Sequence, residues 1–114
     1  MQLSSIIIAT SDKARLRTFY HELLGVPFNA QGKLESAGIV LHPARHSHVQ
    51  GPPIEPYRVM LTFAVADIQA TAAELRAKGV IFSRDPAQEV WGGWLATFLD
   101  PDGNYLQLIQ LVED

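Results

Sequence analysis

Phe98-Leu99-Asp100-Pro101-Asp102-Gly103-Asn104-Tyr105-Leu106-Gln107-Leu108-Ile109-Gln110 reads as a strand, a turn and a second strand. Pro101 presets φ for the second position of a turn, and Gly103 supplies the positive φ that completes the reversal. Beyond the turn, Tyr105, Gln107, Ile109 and Leu111 project to one side, and Leu106, Leu108 and Gln110 to the other. Gln107 is thus a polar side chain in mid-strand between apolar neighbours. Such a residue either faces a wet cavity or must find a buried partner.

Working outward, this hairpin closes the second of two similar units. Leu3 to Thr10 is rich in β-branched residues and predicts a first strand. Ser11 and Asp12 offer an N-cap, after which Leu16, Phe19, Tyr20, Leu23 and Leu24 recur at the spacing of one helix face. Gly25 stands where a left-handed residue ends a helix. Strand-like pieces at Val26–Ala30, Leu34–Ala37 and Ile39–His42 follow. The second half repeats the order. Tyr57 to Val65 is a strand, Asp67 caps, Ile68, Thr71, Ala72 and Leu75 give the helix face, and Gly79 ends it. Strands are then expected near Phe82–Ser83, Trp91–Leu99 and Asn104–Val112. Asp12 to Gly25 spans 13 residues and Asp67 to Gly79 spans 12, so the halves superimpose at an offset of about 55 residues with one gap. Pro43, Pro52, Pro53, Pro56 and Gly51 fall in a stretch without periodicity, which reads as a surface linker. The division is module one at about 1–43, linker at about 43–56 and module two at about 57–114.

The fold class expected is α+β, with two βαβββ modules in tandem. They are expected to form a curved, half-open eight-stranded sheet with the helices on its outer face. Each module covers one sheet face with its helix and leaves the other open, so the open faces line a trough. By parity Ile6, Ile8, Leu61, Phe63, Val65, Leu106 and Leu108 face the helices. Ser5, Ile7, Ala9, Met60, Thr62, Ala64, Tyr105, Gln107 and Ile109 fall on the trough side. The first set is large and apolar. The second is smaller and mixed, as suits a binding surface.

Composition excludes several classes. The chain of 114 residues is one domain, with 47% hydrophobic residues and no apolar run approaching the roughly 18 residues of a membrane span. Its start lacks the basic segment and cleavage site of a secretory signal, and a cytoplasmic location is expected. There is no cysteine, hence neither disulfide nor thiolate chemistry. Nine Lys and Arg against twelve Asp and Glu give a net charge of −3 without a basic, aromatic-studded patch, so neither nucleic acid nor membrane is an expected partner.

Phe19-Tyr20-His21-Glu22-Leu23-Leu24-Gly25, Trp91-Gly92-Gly93 and Asp100-Pro101-Asp102-Gly103-Asn104, together with the repeat, resemble the vicinal oxygen chelate superfamily of glyoxalases, bleomycin resistance proteins and extradiol dioxygenases. The resemblance covers nearly the whole chain and is specific for fold rather than for reaction. Metal-dependent members take one ligand from the first strand and one from the last strand of each module. The resemblance places these positions at Ser5, at Met60, at Gln107 (where a Glu is usual) and at either Val40 or His42. A hydroxyl, a thioether and a neutral amide cannot offset the desolvation of a divalent ion, so the metal ligands read as lost and no cofactor is expected.

The leading reading is metal-independent binding of a small organic molecule by a homodimer, at Ser5, Ile7, Met60, Thr62, Trp91, Trp94, Tyr105 and Gln107. One alternative is a metal-dependent lyase, isomerase or dioxygenase using His42 and Gln107. Another is a non-catalytic interaction domain whose trough is filled by its own side chains. Trp91 and Trp94 beside Gly92-Gly93 serve either as a platform for a flat ligand or as packing. His42, His46 and His48 form His-x3-His-x-His, read as exposed linker imidazoles rather than a metal cluster. His21, Glu35 and Glu89 are expected on solvated surface, and Asp100 and Asp102 in the local bonding of their turn.

Overall fold

The computed structural model describes residues 1–112. They form two compact units that part at Gly51 and Pro52, inside the expected linker. No helix among the described residues is long and apolar enough to cross a membrane.

The first module runs β1 (Ser5–Thr10), α1 (Lys13–Thr18) continued by a π-helical turn (Phe19–Leu23), β2 (Leu34–Ser36) and β3 (Ile39–Arg45). Its sheet has the order β1-β3-β2, with an isolated bridge from Phe28 to Leu34 at the far edge. The second runs β4 (Leu61–Ala64), α2 (Ile68–Ala77), β5 (Phe82–Gln88), β6 (Trp94–Leu99) and β7 (Tyr105–Gln110), in the order β4-β7-β6-β5. The orders coincide once the Phe28 bridge is taken as the eighth strand position. In each module the first strand pairs in parallel with the last, and the helix is the crossover that such pairing requires. The α+β fold of two βαβββ modules is thus the observed one, with seven full strands and one reduced to a bridge.

Both helices start as the sequence indicates. Asp12 accepts from Arg15 N at 3.1 Å and Asp67 from Ala70 N at 3.0 Å. Gln110 accepts from Ile68 N at 2.8 Å, satisfying another orphan donor of α2. Their ends differ. At α2, Val80 N donates to Leu75 O and Gly79 N to Arg76 O, the pair of bonds of a Schellman motif. Leu75 and Val80 are both buried, which supplies its apolar contact. In the first module Leu24 N reaches Phe19 O and Val26 N reaches Tyr20 O, so the closing bond spans one residue more. The single gap between the halves is thereby located: the extra residue is absorbed as a π turn rather than in a loop.

Pro43 does not begin a linker. It lies within β3 opposite Ile8, and β3 continues to Arg45. β2 pairs with β3 only as far as Leu34 with Leu41, so the missing N–H of Pro43 falls beyond the reach of that ladder.

The core confirms the parity. Leu34, Leu41, Leu16 and Tyr20 are buried in the first module, while Ile7 on the other face of β1 is 64% exposed. In the second, Ala96, Phe98, Leu106 and Leu108 are buried beneath Ile68, Ala72 and Leu75 of α2. Phe82 packs on Phe98 at 5.5 Å between ring centroids, and Arg76 of α2 lies over the Phe82 ring at 4.9 Å. Phe98→Ala is expected to cost roughly 3–5 kcal/mol of unfolding free energy, and Asp67→Ala about 1 kcal/mol. Urea denaturation followed by circular dichroism measures both, and a reversed ranking would contradict this placement of the core.

Candidate functional site

The ladders of the second module decide what its open face presents. Gln107 pairs with Thr62 on one side and Thr97 on the other, and Thr97 pairs in turn with Arg84. Paired residues face the same way, so Thr62, Gln107, Thr97 and Arg84 form a polar row across all four strands. Arg84 reaches this face because the β5–β6 register shifts between Phe82 and Arg84. Its guanidinium pairs with Glu89 at 2.6 Å, and Glu89 is only 24% exposed in its side chain. Apolar residues flank the row, with Ala64, Ile109 and Leu95 on one side and Tyr105 and Leu99 on the other. Tyr57 meets Tyr105 edge-on, ring centroids 4.6 Å apart.

Half-buried Gln107 accepts from Thr62 Oγ1 at 3.5 Å, a long bond. Among the described residues no protein group accepts from its amide N–H2. The sequence therefore located a polar residue on an otherwise apolar face, and the structure leaves its two donors open. Met60 is half-buried one residue before the β4 ladder begins.

The tryptophans part company. Trp94 pairs with Gln110 and so lies on the face that bears α2, opposite to Gln107. Its expected place on the open face is not where the β6–β7 register puts it. Trp91 sits in the turn before β6, 49% exposed, with its ring folded back so closely that a Cβ at Gly93 would run into it. The glycine serves packing of that ring, while Gly92 takes the positive φ of the turn.

In the first module Ser5, Ile7 and Ala9 share the open face with Val40, His42 and Ala44. Glu35 belongs there too, because it pairs with Val40; it is half-buried and accepts from Asn29 Nδ2 at 3.1 Å. Both carboxylates expected on solvated surface, Glu35 and Glu89, are instead half-buried with a partner. His21 is also tied down, since its Nδ1–H donates to Val26 O at 2.8 Å and its ring stacks on Phe28 at 4.0 Å. His46 and His48 lie exposed after β3 with rings 5.3 Å apart, whereas His42 is a strand residue rather than part of their loop. Asp100 accepts from Asp102 N and Asn104 N, as its turn role demands.

The repeat also resolves the choice between Val40 and His42. Thr62 stands five residues before its cap, Asp67, and pairs with Gln107. Ile7 stands five before Asp12 and pairs with His42, so His42 is the counterpart of Gln107.

The family model that matches this chain is that of the Glyoxalase/Bleomycin resistance protein/Dioxygenase superfamily, over residues 2–108. No protein of curated function matches the sequence. Among solved structures, a glyoxalase/bleomycin resistance protein/dioxygenase family enzyme from Burkholderia phytofirmans PsJN is similar at a TM-score of 0.79 and 17% identity, over 96% of this chain and 98% of that one. A superfamily member from Sphaerobacter thermophilus DSM 20745 gives 0.75 and 22%, over 97% and 98%. A protein of unknown function from Agrobacterium tumefaciens str. C58 gives 0.77 and 22%, over 98% and 95%. At these identities the likeness is one of fold.

The metal of the metal-dependent members does not fit the residues present. The first module offers the Ser5 hydroxyl and the His42 imidazole at the corresponding positions. The second offers the Met60 thioether and the neutral Gln107 amide. That set has no carboxylate to balance a divalent charge, and no three His, Cys, Asp or Glu residues among those described gather as an ion site. Purified protein is expected to carry well under one equivalent of Ni, Zn, Mn or Fe by elemental analysis. A stoichiometric ion lost on His42→Ala would overturn that expectation.

Proposed function

The chain belongs to the Glyoxalase/Bleomycin resistance protein/Dioxygenase superfamily, and we propose that it binds a small organic molecule on the open face of its second module without a metal ion. The observation that supports this most is Gln107. It is a half-buried amide whose two N–H donors meet no protein acceptor among the described residues, set between the apolar Ile109 and Leu95 and the ring of Tyr105. Its bond to Thr62 is a solvent-exposed one and the amide N–H2 is not buried, so a ligand acceptor can take the place of water there and fix the orientation of an apolar body on this face. The matching ligand has a flat apolar body that covers Tyr105 and Ile109, and a carbonyl or ether oxygen that accepts from Gln107. Thr62 orients the amide by donating to its oxygen, which leaves the N–H2 end directed to the ligand. Met60 and Tyr57 border the same face in this reading, and Ser5 and Ile7 hold the corresponding positions in the first module. Trp94 has no part in it.

A thermal-shift screen of small carbonyl-bearing aromatic compounds tests the reading, since a molecule bound only by the folded state raises the unfolding midpoint. For any compound that does so, Gln107→Leu is expected to weaken affinity about three- to tenfold, the worth of one hydrogen bond. Trp94→Phe is expected to leave affinity unchanged. The reverse pattern would place the ligand on the other face and remove the proposal.

The reading includes a two-fold homodimer, the commonest closed symmetry. Light scattering at micromolar concentration is expected to give about twice the chain mass of 12.6 kDa. A mass of one chain throughout that range contradicts it.

A further inference from the structure

A second feature lies wholly within the first module, whereas Gln107 belongs to the second. Where β2 stops at Leu34, β3 runs on through His42 and Pro43, and α1 and the Gly32–Lys33 corner close the gap. The result is an open depression floored by the buried Leu34 and Leu41 and lined by Lys13, Arg17, Lys33 and His42. Its volume, about 40 Å³, corresponds to roughly three waters at about 10–15 Å³ each. That is room for a compact oxyanion.

The charges are one-sided. Three of the nine Lys and Arg residues of an acidic chain line this one depression, and among the described residues none of the three is paired with a carboxylate. Arg58, Arg76 and Arg84, by contrast, each form an ion pair. The two carboxylates close by in sequence are engaged otherwise: Asp12 caps α1 and Glu35 accepts from Asn29.

One of the three cationic groups is held, and the backbone beneath a second is braced. Arg17 donates to Gly32 O at 2.9 Å while its guanidinium lies 4.6 Å above the centre of the Phe28 ring. The corner carrying Lys33 is braced by Asn29, whose Oδ1 accepts from Gln31 N and Lys33 N and whose backbone N–H donates to Lys33 O. Like charges gathered around a hollow raise the local concentration of an anion that can sit between them.

We infer that this depression is a binding site for a phosphate-type oxyanion, distinct from the Gln107 face and belonging to a phosphorylated small molecule or to free phosphate. Arg17 supplies a fixed fork of N–H donors and Lys13 and Lys33 supply mobile ammonium groups.

The test titrates inorganic phosphate, and separately a phosphorylated sugar, into the full chain by calorimetry and thermal shift at constant ionic strength, with chloride as the control ion. Phosphate is expected to raise the unfolding midpoint where chloride does not, and the Lys13→Gln/Lys33→Gln double variant to weaken phosphate at least tenfold. With no phosphate present that variant should unfold no earlier than the wild type, because among the described residues neither ammonium group has an ion pair or hydrogen bond to lose. Gln107→Leu should respond to phosphate as the wild type does, which separates this site from the one above. Tighter binding of the phosphorylated sugar than of phosphate would indicate the organic source, and equal binding the free ion. Equal responses to phosphate and chloride, or an undiminished response in the double variant, would overturn the inference.

Discussion

Parallel pairing of the first strand of each module with its last is the constraint on which the remainder of this structure depends. Such a pair cannot be joined by a tight turn, so a helix must cross over, and the helix then covers one face and leaves the other open. Paired residues face the same way, so the register Thr62 with Gln107 and Ile7 with His42 also selects which side chains each open face displays. A slip of one residue between β4 and β7 would turn Gln107 under α2 and bring Leu106 and Leu108 out. Fully exposing two such leucines costs roughly 1.5–3 kcal/mol each. The register is therefore held by the core, and the open face inherits its order from residues it does not contain.

The two modules solve the end of their helix differently. In the second, Gly79 in the left-handed conformation and the apolar contact of Leu75 with Val80 close α2 in the shortest way. In the first, one added residue widens the last turn, leaving only Lys13–Thr18 as regular α-helix. So short a helix has little stability of its own. Its sides are fastened by neighbours, with Arg17 over Phe28, His21 stacked on Phe28, and Tyr20 and Leu16 buried against the sheet.

The modules consequently share a topology while differing in chemistry. The second presents neutral polar groups in a row, with its cation, Arg84, matched by Glu89. The first keeps its open-face carboxylate, Glu35, bonded to Asn29 and gathers unmatched cations at the start of β2. A surface that offers amide and hydroxyl groups selects for shape and hydrogen-bond acceptors, whereas one that offers ammonium and guanidinium groups selects for charge. Two modules of one topology thus present two chemically unlike surfaces.

Much of this was legible in the chain itself. The two caps at Asp12 and Asp67, the closing glycines and the alternation through Leu106, Gln107 and Leu108 are short-range signals, set by sterics and hydrogen bonds within a few residues, and they gave the modules and the sides of β1, β4 and β7 correctly. What needed the folded chain was every relation between segments distant in sequence. The parity of Trp94 depends on how β6 registers against β7 across the turn at Asp100–Gly103, and its pairing with Gln110 puts it on the helix-bearing side. The choice of His42 over Val40 depends on the β1–β3 ladder, and the arrival of Arg84 beside Thr97 on a bulge in β5. Pro43 read as the start of the linker because the proline-rich stretch it opens lacks periodicity, yet it sits in a strand, beyond the last β2–β3 pair at Leu34 and Leu41. Likewise the gathering of Lys13, Arg17 and Lys33 joins a helix to a turn some twenty residues later in the chain. Local propensity determines elements and the faces they offer, whereas register and the meeting of remote side chains are chosen by the packing that buries Phe98, Leu106 and Leu108, a cooperative property of the whole module.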